Sequence, residues 1–505
     1  MRKKIISKAT PAIVAAAMVM SLAACGEDKP AENQPTDAAT PTQAAQQNPD
    51  DGDGGEGDGG EEEDAEPYTV ITDENGNPID LGGMEIIIRD WFSDANTDFM
   101  QKDPDDLTSY QSDVREYREW AMEKYNFTLK QEKEGDWGKG DWGTAPQDFI
   151  DYVTTGGDDY NFVFVVRDDP AIATAMSQKQ MYDLATLDCL DFTDPTYTAN
   201  KMHEQYGYGG GIYAMYGGIS EPRDGLYFNK KVLEDAGHTA DEIYDMQKND
   251  TWTWDAWTAI MDDVQQDKDG DGEVDFYGFT GNMGGYSSPC VFSNGGEFVG
   301  MENGKYVCKL EDANTIEGLE FAVSTIHDYY KPYPEGAEWD YYKQDFQAGK
   351  IAFLSEQEYA GTPGNFLEGC EFEVGFVMFP KGPHGKLVNK WSNNPAVIPA
   401  CYDAQRAWNI AFAYNVWYDI PDDIEEENGF VSTARTGIFD ARACDETLPM
   451  MSEAEHGMVS YDGMIPGLEM GPQLTWSVNG DAKVSELVEA AATQWKTFID
   501  TANGN

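Results

Sequence analysis

Hydrophobic and polar positions follow two periods along the chain, which predict strands and helices in turn. Short apolar runs predict buried strands at 84–88, 162–166, 351–354 and 374–379. Apolar residues recur at helical spacing in stretches that begin near Val114, Trp254, Ile316 and Val484. Trp254 and Trp257 share one such stripe, which predicts core positions for both. Strands that alternate with helices predict an α/β fold with largely parallel sheets from about Tyr68 onwards.

The first 25 residues predict an export signal. Basic residues open the chain, an apolar run follows at 13–20, and Leu-Ala-Ala-Cys closes the segment at Cys25. Small residues before a single cysteine resemble the lipobox of bacterial lipoproteins, in which the cysteine becomes the lipid-modified first residue. Residues 1–25 are therefore predicted to be a lipoprotein signal peptide. The mature protein is predicted to lie outside the cytoplasm, anchored to the membrane by a lipid on Cys25.

An acidic stretch of low hydrophobicity, residues 26–67, follows the signal. Residues 50–66 alone hold ten carboxylates and no basic group. Such a segment cannot bury enough apolar surface to order itself. The segment is either a solvated tether or an acidic stretch that binds metal ions. Charge repulsion and the many glycines favour the tether.

Length and charge narrow the classes of function. A chain of 505 residues predicts two or three domains. The 34 basic and 93 acidic side chains give a formal charge of -59, which repels nucleic-acid phosphates and excludes a DNA- or RNA-binding role. Beyond Cys25 there are six cysteines at wide spacings, which leave both disulfides and buried free thiols open.

Sequence signatures of catalysis are missing. The chain has no HExxH, no G-x-S-x-G and no phosphate-binding G-x-x-x-x-G-K-[ST] motif. Paired acids for glycoside hydrolysis cannot be picked out among so many carboxylates. The sequence therefore predicts a protein that is not an enzyme, with no catalytic residues and no required cofactor.

One acidic loop has the spacing of a calcium site. Its oxygen-bearing side chains follow the alternate positions of an EF-hand loop, and they are Asp267, Asp269, Asp271, Glu273 and Asp275. The twelfth position is Gly278, where an EF-hand has a bidentate Glu. The loop is thus either a structural Ca²⁺ site completed by water or an Asp-Gly turn between a helix and a strand.

Four motifs, in order, carry a resemblance to a known family. The segment 251–257 (TWTWDAW) leads through a helix to 269–279 (DGDGEVDFYGF). The other three are 211–214 (GIYA) with 225–237 (GLYFNKKVLEDAG), 346–354 (FQAGKIAFL) and 377–383 (VMFPKGP). Together they resemble the family 1 extracellular solute-binding proteins, the sugar-capturing components of bacterial ABC importers. Phe353 stands where that family usually has Met, and the Asp-rich region 421–470 has no counterpart.

The resemblance implies a two-lobe, periplasmic-binding-protein-like (type II) α/β fold with crossover strands between the lobes. It places the N-terminal lobe at 68–210 and 341–395 and the C-terminal lobe at 211–340 and 396–505. The implied function is capture of an oligosaccharide or related polar solute in the cleft and delivery to the transmembrane subunits of a permease. The alternative is a cell-surface polysaccharide-degrading enzyme.

Candidate ligand-binding residues follow the predicted strands, because ligands of open α/β sheets bind beyond the carboxyl ends of strands. A sugar needs an aromatic face and polar groups for its hydroxyls. The candidates that offer these groups are Asp90, Trp91, Arg167, Asp168, Tyr216, Arg223, Tyr286, Glu356 and Trp391.

Overall fold

The computed structural model describes residues 66–504 apart from short gaps. The gaps are 92–98, 134–142, 195–196, 198–200, 216–220, 223, 273, 362–364, 393, 422–423, 425–433 and 436. The predicted signal peptide with Cys25, and nearly all of the predicted tether, lie outside the described residues. All described elements belong to one unit, Glu66–Asn505.

Fifteen strands are described. In chain order they are β1 Met84–Asp90, β2 Phe127–Lys133, β3 Asn161–Val165, β4 Gly207–Tyr208, β5 Gly211–Ile212, β6 Glu221–Pro222, β7 Asp224–Asn229, β8 Tyr277–Gly281, β9 Val299–Glu302, β10 Lys305–Cys308, β11 Ile351–Gln357, β12 Val374–Met378, β13 Asn389–Ser392, β14 Ala396–Val397 and β15 Gly457–Met458.

The helices alternate with these strands. They are α1 Ser109–Lys124, α2 Ala145–Thr154, α3 Pro170–Ser177, α4 Met202–Gln205, α5 Lys230–Ala236, α6 Ala240–Lys248, α7 Trp254–Val264, α8 Met283–Ser293, α9 Ala313–Tyr329, α10 Tyr342–Gln347, α11 Ala404–Tyr418, α12 Leu448–Ser452, α13 Met470–Gln473 and α14 Val484–Ala502. Short 3-10 turns at Asp462–Met464 and Thr475–Ser477 flank the site described below.

The first lobe is built on a sheet with the strand order β14-β3-β1-β2. Strand β1 pairs in parallel with β2 and β3, and β14 pairs antiparallel with β3. The apolar run of β1 is buried on both faces: Ile86 and Ile88 pack into one core cluster, and Ile87 packs into the other. This burial on both faces explains the continuous hydrophobic pattern of β1.

The second lobe is built on a sheet with the strand order β12-β7-β11-β8. Strand β11 runs parallel to β8 and antiparallel to β7, which also pairs with β12. Helix α7 covers this sheet with its predicted stripe, and Trp257 is fully buried against Phe279 and Phe353. The predicted core positions of Trp254 and Trp257 are confirmed, and Thr253 caps the helix by accepting the Ala256 N–H.

The predicted lobe boundaries need correction in the second half of the chain. Strands β11 and β12, within 341–395, were placed in the N-terminal lobe but pair with β7 in the second sheet. Strand β14 and helix α11, within 396–505, were placed in the C-terminal lobe but pack in the first. A buried apolar run shows that a strand exists but carries no signal for its partner, so motif order alone assigned these segments wrongly.

Crossover strands between the lobes are confirmed. The chain leaves the first lobe at Met215, which bridges to Ala396, and enters the second at β7. The return crossover contains β13, and it pairs antiparallel with β6 through Trp391↔Pro222 and Ser392↔Glu221. The chain passes between the lobes a third time after α11, because Ile424 packs in the same core cluster as α11 and Ile438 lies against Gly361, which follows β11 in the second lobe. The fold class predicted from the sequence is therefore confirmed.

The six cysteines of the described region are free thiols. Cys290 and Cys444 are buried, and Cys401 is exposed. Burial raises the pKa of the Cys370 thiol to about 11, which keeps it protonated at neutral pH. Within the described part of the chain, no helix has the length and apolar character that a membrane span requires.

Close packing of α8 on α9 generates a stability prediction. A methyl group on Gly318 would lie 2.6 Å from the Cα of Val291 and 2.9 Å from the carbonyl oxygen of Cys290, both backbone atoms that cannot move aside locally. Gly318→Ala is expected to lower the free energy of unfolding by about 1–3 kcal/mol. Gly285→Ala, on α8 with no atom within 4 Å of the added methyl, is the control and should not destabilise. Urea unfolding checks both variants, and equal midpoints would contradict the packing described here.

Candidate functional site

A cavity of about 500 Å³ opens where the second lobe meets the crossover strands. Its wall is formed by one face of α8, by Lys390 of β13, and by residues between Asp462 and Trp476. Helix α8 begins directly after β8, the edge strand of the second sheet, so the part of the wall at Gly284 lies near the carboxyl end of that strand. Its volume is in the range of small-molecule binding sites.

The most prominent side chain at the cavity is Trp476, which is 70% exposed. The edge of the indole lies over Gly471, where an added methyl group would stand 2.5 Å from a ring carbon. Glycine at this position therefore allows the backbone of α13 to approach the ring. The flat face of this exposed indole suits the C–H face of a sugar.

Asp462 supplies a hydrogen-bond acceptor to the same cavity. Its side chain is 9% exposed, and its Oδ1 atom is buried with no hydrogen-bond partner in the described structure. A buried carboxylate oxygen without a donor costs free energy that a ligand donor can recover. Asp462 thus places a carboxylate that lacks a donor for one oxygen at the cavity wall.

Lys390 is the only basic side chain that lines the described cavity. Its neighbour Asp462 is the main influence that raises the pKa of the ammonium, against burial, and Asp168 and Asp224 act in the same direction. Lys390 therefore stays charged at neutral pH. Its position on β13 places this charge on a crossover strand, at the junction of the two lobes.

Asp168 brings the first lobe to this junction. It lies just beyond β3 and accepts hydrogen bonds from Tyr206 Oη at 2.6 Å and Gln205 Nε2 at 3.0 Å. Gln205 Nε2 also donates to the carbonyl oxygen of Ser460 at 3.3 Å. Burial raises the pKa of the Asp168 carboxyl, and the ammonium of Lys390 opposes this effect. The Asp168 side chain also lies against Gly463, so the loop that carries Asp462 contacts the first lobe.

The other strand-end candidates of the first lobe lie apart from the described cavity wall. Asp90 is fully buried, and Gln131 Nε2 lies 3.4 Å from its Oδ2 atom. Trp91 is half-buried and packs against the first-lobe core. Arg167 pairs with Asp169 at 2.7 Å. Of these candidates, Asp168 alone is shown near the described cavity, because it influences the pKa of Lys390 and lies against Gly463.

Three candidates lie in the packed interior of the second lobe and its crossover. Tyr286 shares a hydrogen bond with Thr325 Oγ1 at 2.7 Å. Trp391 donates from Nε1 to the carbonyl oxygen of Met451 at 3.3 Å, and Glu356 accepts hydrogen bonds from Tyr342 Oη and the Gln357 N–H. None of the three lines the described cavity.

The direction of their side chains explains why these candidates do not line the described cavity. A strand end fixes the edge of a sheet, whereas alternation along the strand decides which side chains turn outward. Lys390 and Trp391 show this, because Lys390 lines the cavity and its neighbour is 2% exposed. Candidates Tyr216 and Arg223 lie outside the described residues.

Sequence reasoning missed the side chains that define the cavity: Lys390, Asp462, Glu469 and Trp476. Three of them lie in or just after 421–470, the region without a counterpart in the family resemblance. The only local signal was a tryptophan in a Gly- and Pro-rich segment rather than on a helical stripe, and that signal does not specify a site.

The acidic loop is partly assembled. Carboxylate oxygens of Asp267, Asp269 and Asp275 lie within 4.8 Å of one another, Asp271 is not part of this group, and Glu273 lies outside the described residues. Asp267 accepts backbone N–H groups of Gly270 and Gly272 at 2.6 and 2.8 Å, which lower its pKa. These bonds also suit the Asp-Gly turn, so calcium binding stays a prediction.

No family model matches the chain. Among solved structures, it is similar to a cyclic alpha-maltosyl-1,6-maltose binding protein from Arthrobacter globiformis, with 13% identity and a TM-score of 0.59 over 83% of this chain and 100% of that one. The GacH receptor of Streptomyces glaucescens GLA.O, solved with acarbose, gives 12% identity and a TM-score of 0.53 over 83% and 99%. UgpB from Mycobacterium tuberculosis, in complex with glycerophosphocholine, gives 16% and 0.52 over 83% and 99%.

These likenesses show that the chain has the two-lobe fold of substrate-binding proteins. They span nearly the whole of each matched protein and 83% of this chain.

Calcium at the acidic loop can be tested by chelation. If the loop holds Ca²⁺, removing the ion should lower the melting temperature, since a cation present at a hundred times its dissociation constant stabilises by about 2.7 kcal/mol. Asp269→Ala should abolish this response, whereas Glu489→Ala, an exposed acid on α14, should preserve it. Identical melting curves with and without calcium would leave the turn as the correct interpretation.

Proposed function

We propose that the chain is a non-catalytic receptor that binds an oligosaccharide or a related polar solute in this cavity and delivers it to a membrane permease. The observation that carries the proposal is the pairing of an exposed indole, Trp476, with the unpartnered buried oxygen of Asp462 in one cavity. A sugar offers an apolar ring face to the first and a hydroxyl to the second.

The neighbours in structure support this class of ligand. One binds a cyclic maltose derivative, one was solved with acarbose, and one with glycerophosphocholine. All three are polar, hydroxyl-bearing molecules, and all three neighbours bind their ligands without being described as enzymes. Their low identity to this chain leaves the individual solute open.

Closure of the lobes would couple binding to recognition by the permease. Asp168 and Gln205 of the first lobe contact the loop at Ser460–Gly463, next to the cavity. A ligand that touches this loop and Trp476 together favours the arrangement in which the lobes meet, and so shifts an open–closed equilibrium about the paired crossover strands. The permease would then distinguish the loaded form by its shape.

A surface polysaccharide-degrading enzyme is the second candidate. The cavity contains two carboxylates, Asp462 and Glu469, and glycoside hydrolases use a pair of acids. Turnover separates the two proposals, because a receptor is stabilised by its ligand and releases no product.

Trp476→Ala is expected to weaken saccharide binding about tenfold, since the stacked face contributes about 1.4 kcal/mol in aromatic contacts of this kind. Stability should change little, because the side chain is exposed. Phe439→Ala, which removes an 83% exposed aromatic outside the cavity, is the matched control and should bind normally. Calorimetry with a panel of neutral oligosaccharides, together with chromatography for products, provides the measurement. Equal affinities for both variants, or product release by the parent chain, would contradict the receptor proposal.

Lipid anchoring at Cys25 belongs to the same proposal, since a tethered receptor stays near its permease. Cys25→Ala is expected to leave the fold unchanged, and the protein should be either released from washed membranes or retained as an unprocessed precursor, because acyl chains supply the membrane affinity. Cys401→Ala, at an exposed thiol of the folded part, is the control and should stay membrane-bound. A Cys25→Ala protein that is processed and still sediments with membranes would rule out this anchor.

A further inference from the structure

The charges around the cavity are unbalanced. Among the described residues that line it, the charged side chains are Lys390, Asp462 and Glu469, so carboxylates outnumber basic groups two to one. Asp168 and Asp224 also raise the pKa of the Lys390 ammonium. The charged side chains that line the described cavity therefore sum to a net negative charge. The field inside the cavity therefore favours positive charge.

Lys390 cannot serve as an anion receptor under these conditions. Its ammonium shares the cavity with Asp462, which is the main influence that raises the pKa of the ammonium. A ligand phosphate or carboxylate that approached Lys390 would also approach Asp462 at close range, and like charges in a partly buried site repel strongly. Acidic sugars and sugar phosphates are disfavoured for this reason.

Asp462 has an acceptor free for a ligand donor. Its buried Oδ1 atom has no partner in the described structure, whereas Lys390 acts on the carboxylate as a whole. A hydroxyl can fill this vacancy, but an ammonium forms a charge-assisted bond that is about twice as strong. The same oxygen thus discriminates between neutral and amine-bearing ligands.

Trp476 adds a second preference for positive charge. Its exposed ring lines the same cavity as Glu469 and Asp462. Cations are attracted to the face of an indole, and this attraction is strongest for tryptophan among the aromatic side chains. An aromatic face beside carboxylates is an arrangement that recognises ammonium groups while it still stacks on a sugar ring.

We infer that the cavity selects a saccharide-like solute that carries an ammonium group over its neutral counterpart and rejects the acidic counterpart. This inference rests on the proposed function and specifies its ligand class. Asp462 is the residue that binds the ammonium group, and Trp476 and Glu469 add to the attraction for it.

The test compares ligands that share one backbone and differ in charge. Glucose, glucosamine and glucuronate, each as the monosaccharide and as the β-1,4-linked trimer, are titrated calorimetrically into the full chain below the pKa of the glucosamine amine. The glucosamine trimer is expected to bind about tenfold more tightly than the glucose trimer, and the glucuronate trimer not measurably. The advantage of the amine should shrink as salt is added, whereas binding of the neutral trimer should not.

Variants of the cavity residues test which side chains cause the preference for an ammonium group. Asp462→Asn should remove about tenfold of the amine advantage while the affinity for the glucose trimer falls less, because only the charge is lost. Glu469→Gln should reduce the advantage by about two- to fivefold, as expected for an exposed charge. Glu489→Gln, at an exposed acid on α14 outside the cavity, is the matched control and should bind like the parent. Melting curves verify that each variant is folded.

The outcomes separate this inference from the proposed function. Binding of neutral saccharides as tight as that of their amino counterparts, or tighter binding of glucuronate, overturns the inference and leaves the receptor intact. An amine advantage that persists in Asp462→Asn overturns the assignment to Asp462. If no saccharide of any charge binds the parent chain, the proposed function fails, and the inference fails with it.

Discussion

The constraint on which the described site depends is the position of one ammonium group, that of Lys390, among carboxylates at the junction of the lobes. A partly buried ammonium is tolerated only when opposite charge offsets the loss of water, and Asp462, Asp168 and Asp224 provide that charge. These groups come from different parts of the fold: Asp168 follows β3, Lys390 lies on β13, and Asp462 lies in the C-terminal region. Electrostatics therefore links the first lobe, a crossover strand and the cavity wall at one point.

The same arrangement connects structure to binding. Lys390 and Asp462 line the same cavity, and the Oδ1 atom of Asp462 has no hydrogen-bond partner in the described structure. The site therefore combines charge with an unsatisfied acceptor. Trp476 is fixed beside it by the close approach of α13 at Gly471. A ligand that completes the acceptor and covers the indole recovers free energy that the unliganded protein forgoes, and it does so beside the contact between Asp168 and Gly463. The cavity and the contact between the lobes therefore lie side by side, as is required of a receptor whose lobes close on its ligand.

The cavity also shows how the candidates that follow predicted strands are placed. Asp168 lies beside the cavity, and α8 begins there after β8. Tyr286, Trp391 and Glu356 turn into the interior and make hydrogen bonds there, so they do not line this cavity, and their part in binding stays a prediction. The lining residues between 462 and 476 come from short turns, and the direction of these turns depends on packing against other parts of the chain. Hydrophobic periodicity does not predict the path of such segments.

By itself, the sequence determined the elements and the fold class. Apolar runs fixed β1, β3, β11 and β12, helical stripes fixed α7 and α14, and ordered motifs indicated two lobes with crossovers, because these properties are encoded in local spacing. Only the tertiary structure decided which sheet received β11, β12 and β14, and which of Lys390 and Trp391 faces the cavity. It also decided that Lys390 and Asp462, which are distant in the sequence, line one cavity. Strand pairing and charge clustering depend on contacts between distant segments, and no local pattern specifies those contacts.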